Sequence, residues 1–505
     1  MEFFESDKLS ERVNELLLSH HVPGVSLAII DGGEISSKCF GEASIDPKSP
    51  CTPSTLFDIA SSSKSLTAAA VAILVMDEEH PEVQWDTPVA KLLPDDFVLS
   101  DVRYTNEVTV EDILSHRSGL PNHDDSYMGP TAMKADTPKS VTRNLRNLAM
   151  AAPPRTKYIY CNMMYTVASY LVESISGLSF SDFLSQRIFK PLGMTSTSLQ
   201  PSQAIEKGFS NRMAAGHVWD DEAQKYRSFS AWDSPECQGA GSIITTAEDY
   251  LLWVKALLNR EGPVTSEVYE GIVKMRMFIE PDPHAASIAP MCSPTVCASG
   301  LEIYWYRGSM VVTHDGSIAG FGSTQFFLPE QKFGGVILGN ASGAWDLAAV
   351  LSRELIDEAL QVPRSERPQW SDHQASLAEG PLDGESDINQ VLEKLGLGQR
   401  NSEEHSLPLG AYTGTYTSRG YHEMVVTVKD GELFVDATDR TSGGFVVHFE
   451  HVGQQTKFIA RLTLMLEGND DCIAAEFKLE GERAVSMGLH LEAELEELIW
   501  FDKVK

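Results

Sequence analysis

A serine and a lysine three residues apart, Ser61 and Lys64, stand at the start of an apolar stretch of the chain. Residues 68–76 are almost wholly apolar and contain neither glycine nor proline, which predicts a buried helix that begins near Ser61. Three residues make nearly one helical turn, so both side chains would lie on one face. A lysine kept neutral by burial could take the proton of a serine nucleophile. The alternative is a helix-capping serine beside a surface lysine. The Ser-x-x-Lys pair alone does not distinguish a catalytic pair from this structural one.

Two further pairs of residues have side chains or backbone suited to a site. Tyr160 and Asn162 stand two residues apart, in a turn before a helix predicted over 165–176, and both could face one pocket. The alternative is a buried tyrosine that packs and makes one hydrogen bond. His314 and Gly316 end a predicted strand, where glycine often marks the close approach of another backbone or of a ligand.

His116 lies between a short helix that Thr109 could cap and a turn at residues 119–121. A histidine there is a candidate catalytic base, because its pKa lies near neutrality. We favour the alternative, a histidine that ties down a loop by hydrogen bonds.

The elements around Ser61 follow a specific order. Helical spacing over 6–20, with Ser6 as the N-cap, precedes strands over 25–30 and 35–40, which a glycine turn joins into a hairpin. Later residues predict a helix over 247–258, with Thr246 as its N-cap and Asp249 in a capping-box-like role, strands over 300–307, 310–314, 323–328 and 334–339, and a helix over 344–360.

The C-terminal part has a different pattern. Residues 364–406 are polar and rich in Ser, Glu and Gly, which predicts a linker with one short helix over 387–395. From residue 410 onward, at least six short strands separated by turns predict a small antiparallel barrel or sandwich.

Composition narrows the classes of function. The 505 residues predict two or three domains, and a hydrophobic content of 42% provides for substantial cores. Acidic residues outnumber basic ones 72 to 40, for a formal charge of -32, which argues against nucleic acid and anionic membranes as partners. The seven scattered cysteines suggest neither a disulfide framework nor a zinc site, so we expect no metal and no cofactor.

The first residues show no basic leader followed by an apolar core, and the chain has no run of 18 apolar residues. We therefore expect a cytoplasmic protein.

Three motifs stand in one order, Ser61-x-x-Lys64, Tyr160-x-Asn162 and His314-x-Gly316, with accessory stretches at 114–120 and 191–194. In this combination the chain resembles the serine β-lactamase-like family. The match is to its class C branch, which includes penicillin-binding-protein-like esterases, D-aminopeptidases and acyltransferases. The resemblance covers about residues 8–360. The C-terminal part more weakly resembles the lipocalin-like barrel of some members.

The resemblance implies a role for each matching residue. Ser61 would be the acylated nucleophile, and Lys64 would hydrogen-bond it and shuttle its proton. Tyr160 would be the general base, with a phenol pKa lowered by Lys64, and would return the proton to the leaving group. Asn162 would hold the substrate and the lysine. The backbone N–H groups of Ser61 and Ser317 would form the oxyanion hole.

Three residues depart from the family pattern. His314 stands where the lactamases proper carry lysine, and a neutral histidine at pH 7 suits an uncharged ester or amide better than a carboxylate. Cys161 replaces the usual serine between Tyr160 and Asn162, which removes a hydroxyl. Arg155 stands where the family often has glycine, and the sequence offers no reason for it.

The fold class that we predict is an α/β domain with a central antiparallel sheet and helices on both faces. A helical subdomain over about 75–235 would form one wall of the cleft, and a small antiparallel β-barrel would follow. The predicted domains are a hydrolase domain over 1–363, a linker over 364–406 and a lipocalin-like barrel over 407–505.

The leading hypothesis is a serine hydrolase that acts through a Ser61 acyl-enzyme on a small ester, an amide or a D-amino-acid peptide, and secondary metabolism would suit it. One alternative is an acyltransferase that passes the acyl group to an alcohol or amine. An alternative of another class is a non-catalytic binding or scaffold protein on the same fold. We expect a small-molecule or short-peptide partner, and a homo-oligomer is left open.

Overall fold

One nine-stranded antiparallel sheet forms the centre of the N-terminal part. The computed structural model describes residues 2–378, 384–398, 406–468 and 470–505. From edge to edge the strands are Lys48–Pro50, Glu34–Ile45, Gly24–Asp31, Phe333–Gly339, Phe321–Leu328, Ser309–Ile318, Glu302–Tyr306, Val296–Cys297 and Met277–Phe278. The predicted hairpin and the later strands are therefore confirmed, and the hairpin pairs with the last of them.

Helices cover both faces of this sheet, as predicted. Strand Gly24–Asp31 is almost wholly buried, and its alternate side chains enter two separate hydrophobic clusters. Helices Asp7–Ser19 and Ala344–Ala359 cover one face. Helix Ala247–Asn259 and the helical subdomain cover the other face. Because both faces are buried, the strand is nearly continuously apolar from Val25 to Ile30, with Ser26 as the exception, rather than alternating.

The predicted buried helix lies between the sheet and the helical subdomain. A 3-10 turn, Ala60–Ser63, leads into helix Lys64–Val75, in which every residue is buried. Helices Asn162–Ser176 and Ser266–Val273 pack against it. The helix therefore has no solvent face on which Lys64 could be a surface lysine.

The remaining elements of the N-terminal part are short. Thr246 caps helix Ala247–Asn259 as predicted. The capping-box-like role of Asp249 is wrong, because its carboxylate accepts hydrogen bonds from the Ser196 N–H and the Thr197 hydroxyl. The short helices are Glu2–Glu5, Val89–Leu92, Val102–Thr105, Val110–Leu114, Pro138–Asn144, Phe180–Leu184, Lys190–Leu192 and Pro201–Glu206. Two small two-stranded sheets complete this part: Phe57–Asp58 pairs with the distant strand Ile244–Thr245, and Ala215–Asp220 forms a hairpin with Lys225–Ser230.

The C-terminal part is a closed antiparallel barrel of eight strands. The first strand pairs with the last through Tyr416 opposite Lys503 and Thr417 opposite Asp502, so the sheet has no free edge. In order the strands are Gly414–Ser418, His422–Lys429, Glu432–Ala437, Phe445–Gly453, Lys457–Leu464, Asp470–Glu480, Arg483–Leu489 and Ile499–Lys503.

The segment predicted as a linker carries more structure than expected. Within its described residues it has two helices, Trp370–Ala378 and Gly384–Lys394, whereas one short helix was predicted. Trp370 is buried in the N-terminal part and donates a hydrogen bond to Asp357 at 2.7 Å. Val391 and Leu392 on the second helix pack on the barrel. Residues 379–383 and 399–405 of the segment lie outside the described residues, and the domain boundaries stay a prediction.

The barrel packs directly on the helical subdomain. Asn144 donates to the Gly420 carbonyl at 2.8 Å, and the Gly129 N–H donates to the Asp439 carbonyl at 2.9 Å. Glu492 accepts a hydrogen bond from the His123 N–H at 2.8 Å. These contacts bring the barrel beside the residues that follow Pro121. In the described parts of the chain, we find no helix with the length and apolar character that a bilayer crossing requires.

Candidate active site

Ser61 lies on a tight turn at the start of the buried helix. Ala60, directly before it, has a φ of +45°, the left-handed region that residues other than glycine rarely adopt. The Ala60 N–H donates to the Asp58 carboxylate at 2.7 Å, which stabilises this conformation. Strained backbone of this kind is typical of functional sites. The turn leaves Ser61 partly exposed to a cavity, while its neighbours Ser62 and Ser63 are buried.

Lys64 reaches Ser61 from one turn further along. Its Nζ donates to the Ser61 Oγ at 2.9 Å and to the Ala240 carbonyl at 2.9 Å. The side chain is fully buried, and this burial lowers the pKa of Lys64 to about 7, against the nearby charge of Asp124, which raises it. A large share of the lysine is therefore neutral at pH 7 and able to accept a proton.

Tyr160 contacts the same oxygen from the other side. Its hydroxyl donates to the Ser61 Oγ at 2.8 Å. Burial raises the pKa of the Tyr160 phenol above its usual value, so the prediction that Lys64 lowers it is wrong. The Lys64 Nζ lies 4.9 Å from the centre of the tyrosine ring, and it donates its hydrogen bonds to Ser61 and Ala240. Tyr160 is accordingly a protonated donor in the resting site.

Asn162 is held by a carboxylate that sequence reasoning missed. Its side-chain amide donates to Asp124 at 2.9 Å, and its backbone N–H donates to Asn122 at 2.8 Å. Burial raises the pKa of Asp124 to about 6, although the charge of Lys64 lowers it. Asn162 was expected to hold the lysine, but its side-chain amide donates to Asp124, whose charge raises the pKa of Lys64. The available signal was the polar run of residues 122–125, directly after Pro121.

His314 and Gly316 lie on strand Ser309–Ile318, beside the nucleophile turn. His314 is buried, and burial and the charge of Lys64 lower its pKa to about 3, so it is neutral at pH 7 as expected. Gly316 has no room for a side chain, because an added Cβ would lie 2.2 Å from the Ile59 carbonyl oxygen. The prediction that this glycine marks a close backbone approach is confirmed.

His116 ties down the segment that carries Tyr160. Its Nδ1 accepts the backbone N–H of Cys161 at 3.0 Å, and its ring stacks on Tyr160 with ring centres 4.3 Å apart. The loop-tying interpretation is therefore confirmed. The Cys161 thiol is buried and donates to the Pro121 carbonyl at 3.3 Å. The cysteine that replaces serine thus makes its hydrogen bond within the protein, not in the cavity.

Arg155 anchors the segment before Tyr160. Its backbone lies in the left-handed region, with a φ of +65°. Its guanidinium donates to both carboxylate oxygens of Asp112, which also accepts from Arg117. Asp112 in turn caps helix Val110–Leu114. This buried carboxylate, distant in sequence, explains an arginine that the sequence could not.

The cavity at Ser61 has a volume of about 1160 Å³. Ser61, Asp124, Asn162 and Ser317 line one side of it, which we call the catalytic floor together with Lys64 and Tyr160. Residues of the barrel and of helix Gly384–Lys394 line the same cavity. Among the described residues, no group of three or more His, Cys, Asp or Glu side chains could hold a metal ion.

Comparisons with known proteins match both parts of the chain. The family described as Beta-lactamase matches residues 7–359, and a domain of unknown function, DUF3471, matches residues 399–503. The chain is 33% identical to the unguisins hydrolase ungD' of Aspergillus campestris, over 98% of this chain and 91% of that protein.

Two solved structures show the same fold. The octameric penicillin-binding protein homologue from Pyrococcus abyssi superposes with a TM-score of 0.62 at 20% identity, over 99% of this chain and 100% of that one. The D-amino acid amidase from Ochrobactrum anthropi SV3 gives a TM-score of 0.55 at 25% identity, over 72% of this chain and 100% of that one.

Proposed function

Since the chain belongs to the beta-lactamase family, we propose that it hydrolyses an ester or amide through an acyl-enzyme formed on Ser61. The observation that carries this proposal is the convergence of Lys64 at 2.9 Å and Tyr160 at 2.8 Å on the Ser61 Oγ. A serine held between two titratable groups at the edge of a cavity is the arrangement that nucleophilic catalysis requires. Relatives named as a hydrolase and an amidase support it.

Lys64 is the better candidate for the base that activates Ser61. When the lysine is neutral, the 2.9 Å contact lets the serine hydroxyl donate to its lone pair. As the Ser61 oxygen bonds to the acyl carbon, its proton passes to Lys64. Tyr160 cannot take this role as readily, because burial raises the pKa of its phenol and keeps it protonated.

Tyr160 is instead placed to protonate the leaving group. When the bond to the leaving group breaks, that group takes the proton of the Tyr160 hydroxyl, and the Lys64 ammonium returns a proton to the phenolate. Water then attacks the acyl carbon and gives its proton to Lys64. The bond between the acyl carbon and the Ser61 oxygen breaks as that oxygen takes the proton from the Lys64 ammonium, which restores the serine hydroxyl and the neutral lysine.

The negative charge that develops on the acyl oxygen needs donors at the nucleophile. We assign these to the backbone N–H groups of Ser61 and Ser317, since both residues line the cavity on the catalytic floor. Loss of one such donor typically costs about 2.7–4 kcal/mol of transition-state stabilisation.

An uncharged substrate fits the site best. His314 is neutral where the lactamases proper carry lysine, so it supplies no fixed cation for a substrate carboxylate. Among the relatives, one is named as a D-amino acid amidase and one as an unguisins hydrolase, which favours an amide or a peptide. We infer a small ester, an amide or a D-amino-acid peptide, with an unguisin as the first compound to test. A role in secondary metabolism, a cytoplasmic location and a homo-oligomer stay predictions.

The test is intact mass spectrometry after incubation with a fluorophosphonate probe. Wild type is expected to gain one adduct, and Ser61→Ala none. Ser63→Ala is the matched control, because Ser63 is two residues away and buried, and it should label like wild type. A folded wild-type protein without an adduct would overturn the hydrolase proposal and favour a non-catalytic binding protein.

Acyl transfer is a second candidate, which the size of the cavity favours. A volume of about 1160 Å³ leaves room for an acceptor beside the acylated serine. The two outcomes separate when the enzyme turns over an ester in the presence of a primary amine. An acylated amine that requires Ser61 indicates transfer, and free acid alone indicates hydrolysis.

A further inference from the structure

The cavity at Ser61 is larger, and its lining more apolar, than is needed to hold only the ester or amide group that reacts. Clefts for drug-sized ligands occupy roughly 300–1,000 Å³, and this one exceeds that range at about 1160 Å³. Its lining includes a set of aliphatic side chains from the C-terminal barrel and helix Gly384–Lys394, which we call the barrel wall. Its members are Val391, Leu464, Leu466, Ile473 and Leu491.

The side chains of the barrel wall are apolar but remain partly exposed to the cavity. Leu464, Ile473 and Leu491 are only partly buried, and each packs against the hydrophobic core. They also line the cavity. Water against such a patch costs free energy in proportion to its area, which an apolar ligand group would recover. The patch is therefore suited to hold part of a ligand.

The polar groups nearby favour a ligand without negative charge. Glu467 and Asp471, from the same part of the chain as Leu466 and Ile473, also line the cavity. Two cations also line the cavity, but both are engaged by the protein: Arg440 donates to the carbonyls of Tyr421 and Glu423, and Lys394 donates to the Leu495 carbonyl at 3.1 Å. An anionic lipid or fatty acid would meet these carboxylates and be repelled. An apolar group without negative charge therefore fits the barrel wall.

We propose that the barrel wall binds the non-reacting, apolar part of an extended uncharged substrate, so that the C-terminal barrel selects what acylates Ser61. This inference rests on the proposed function. The wall and the catalytic floor belong to one continuous cavity, so a single substrate can contact both. Binding energy gained far from the scissile bond can then serve the reaction at Ser61.

The test uses neutral p-nitrophenyl esters of increasing acyl length, from acetate to octanoate, below their aggregation concentrations. In wild type, kcat/KM should rise by roughly four-fold for each methylene that reaches the wall. Ile473→Asn and Leu491→Ser should each lower kcat/KM for octanoate by roughly ten-fold or more, and change it for acetate by less than about two-fold. Leu491 lies outside the strands, so its variant decides the outcome if Ile473→Asn does not fold.

Val425→Asn is the matched control. Val425 is an aliphatic residue of the same barrel that is 48% exposed and does not line the cavity, so its variant should retain the wild-type length dependence. A wild type that turns over acetate with no gain from length would overturn the inference and leave the proposed function standing. So would folded wall variants with an unchanged length dependence. Absence of both turnover and fluorophosphonate labelling would remove the proposed function itself.

Discussion

The catalytic floor and the barrel wall enclose one cavity but are built from opposite kinds of interaction. On the floor, Ser61, Lys64 and Tyr160 form hydrogen bonds of 2.8 and 2.9 Å, and burial displaces the pKa of both titratable groups. On the wall, aliphatic side chains extend from the strands of a closed barrel, from the loops beside them and from helix Gly384–Lys394. One side is polar, buried and locally strained, and the other is apolar and supported by a regular barrel.

This difference separates the steps that each side controls. Bond making depends on a few atoms whose protonation and placement are fixed by burial, so removal of one atom should cost orders of magnitude. Selection on the wall depends on several weak apolar contacts, and the loss of each should change kcat/KM by about ten-fold. The predictions below test whether the two sides divide in this way.

The largest effect is expected for Lys64→Met. Loss of the base should lower kcat/KM by roughly 10²–10⁴-fold, while removal of a buried amine from an apolar helix should raise Tm. Lys64→Arg is the control for charge, because it keeps a cation that does not release its proton and should be equally inactive. A Lys64→Met enzyme with more than about a tenth of wild-type activity would rule out the lysine as base.

The pH dependence is the next largest effect. A base with a pKa of about 7 must be neutral to act, so kcat/KM should reach a plateau above pH 7 and fall about ten-fold per pH unit below it. Asp124→Asn removes a charge that raises the pKa of Lys64, so the midpoint should move to lower pH. The full pH–rate profile measures this shift.

The control for this shift is Asp101→Asn, a carboxylate paired with Arg103 on the surface. It should leave the midpoint in place. A midpoint that stays fixed or rises in Asp124→Asn would show that Asp124 does not set the protonation of Lys64. Asp124 itself has a pKa of about 6, so midpoints rather than acid slopes are compared.

A smaller effect is expected where the barrel supports the floor. Glu492 accepts the His123 N–H, next to Asn122, which holds the backbone of Asn162. Glu492→Ala should lower kcat by roughly ten-fold because this loop loses its support, and Glu492→Gln should restore most of it. If Glu492→Ala keeps the wild-type kcat, the barrel does not support the catalytic floor through Glu492 and only packs against it there.

The sequence predicted those parts of the molecule that depend on local pattern. The buried helix after Ser61, the hairpin before it and the strand that carries His314 follow from apolar spacing and turn residues. The order of the three motifs likewise predicted which side chains meet, since Tyr160 does contact Ser61. Each motif alone is weak evidence for a site, and the prediction depended on their combination.

The parts that the sequence did not predict depend on contacts between distant segments. The pKa of Tyr160 is set by its burial rather than by the lysine expected to lower it. Arg155 finds its partner in Asp112, 43 residues away. The barrel wall is formed only when the barrel docks on the helical subdomain, and no local pattern marks its members as facing Ser61.

The smallest effect is expected for Cys161→Ser, which restores the residue usual in this family between Tyr160 and Asn162. The Cys161 side chain is buried and directed at the Pro121 carbonyl, to which a hydroxyl can also donate. We therefore expect kcat/KM to change by less than about two-fold. The midpoint of the pH profile should move by no more than a few tenths of a pH unit, on the order of 0.3. A larger change would mean that the thiol takes part in placing Tyr160, and the boundary of the catalytic floor would have to extend behind the tyrosine.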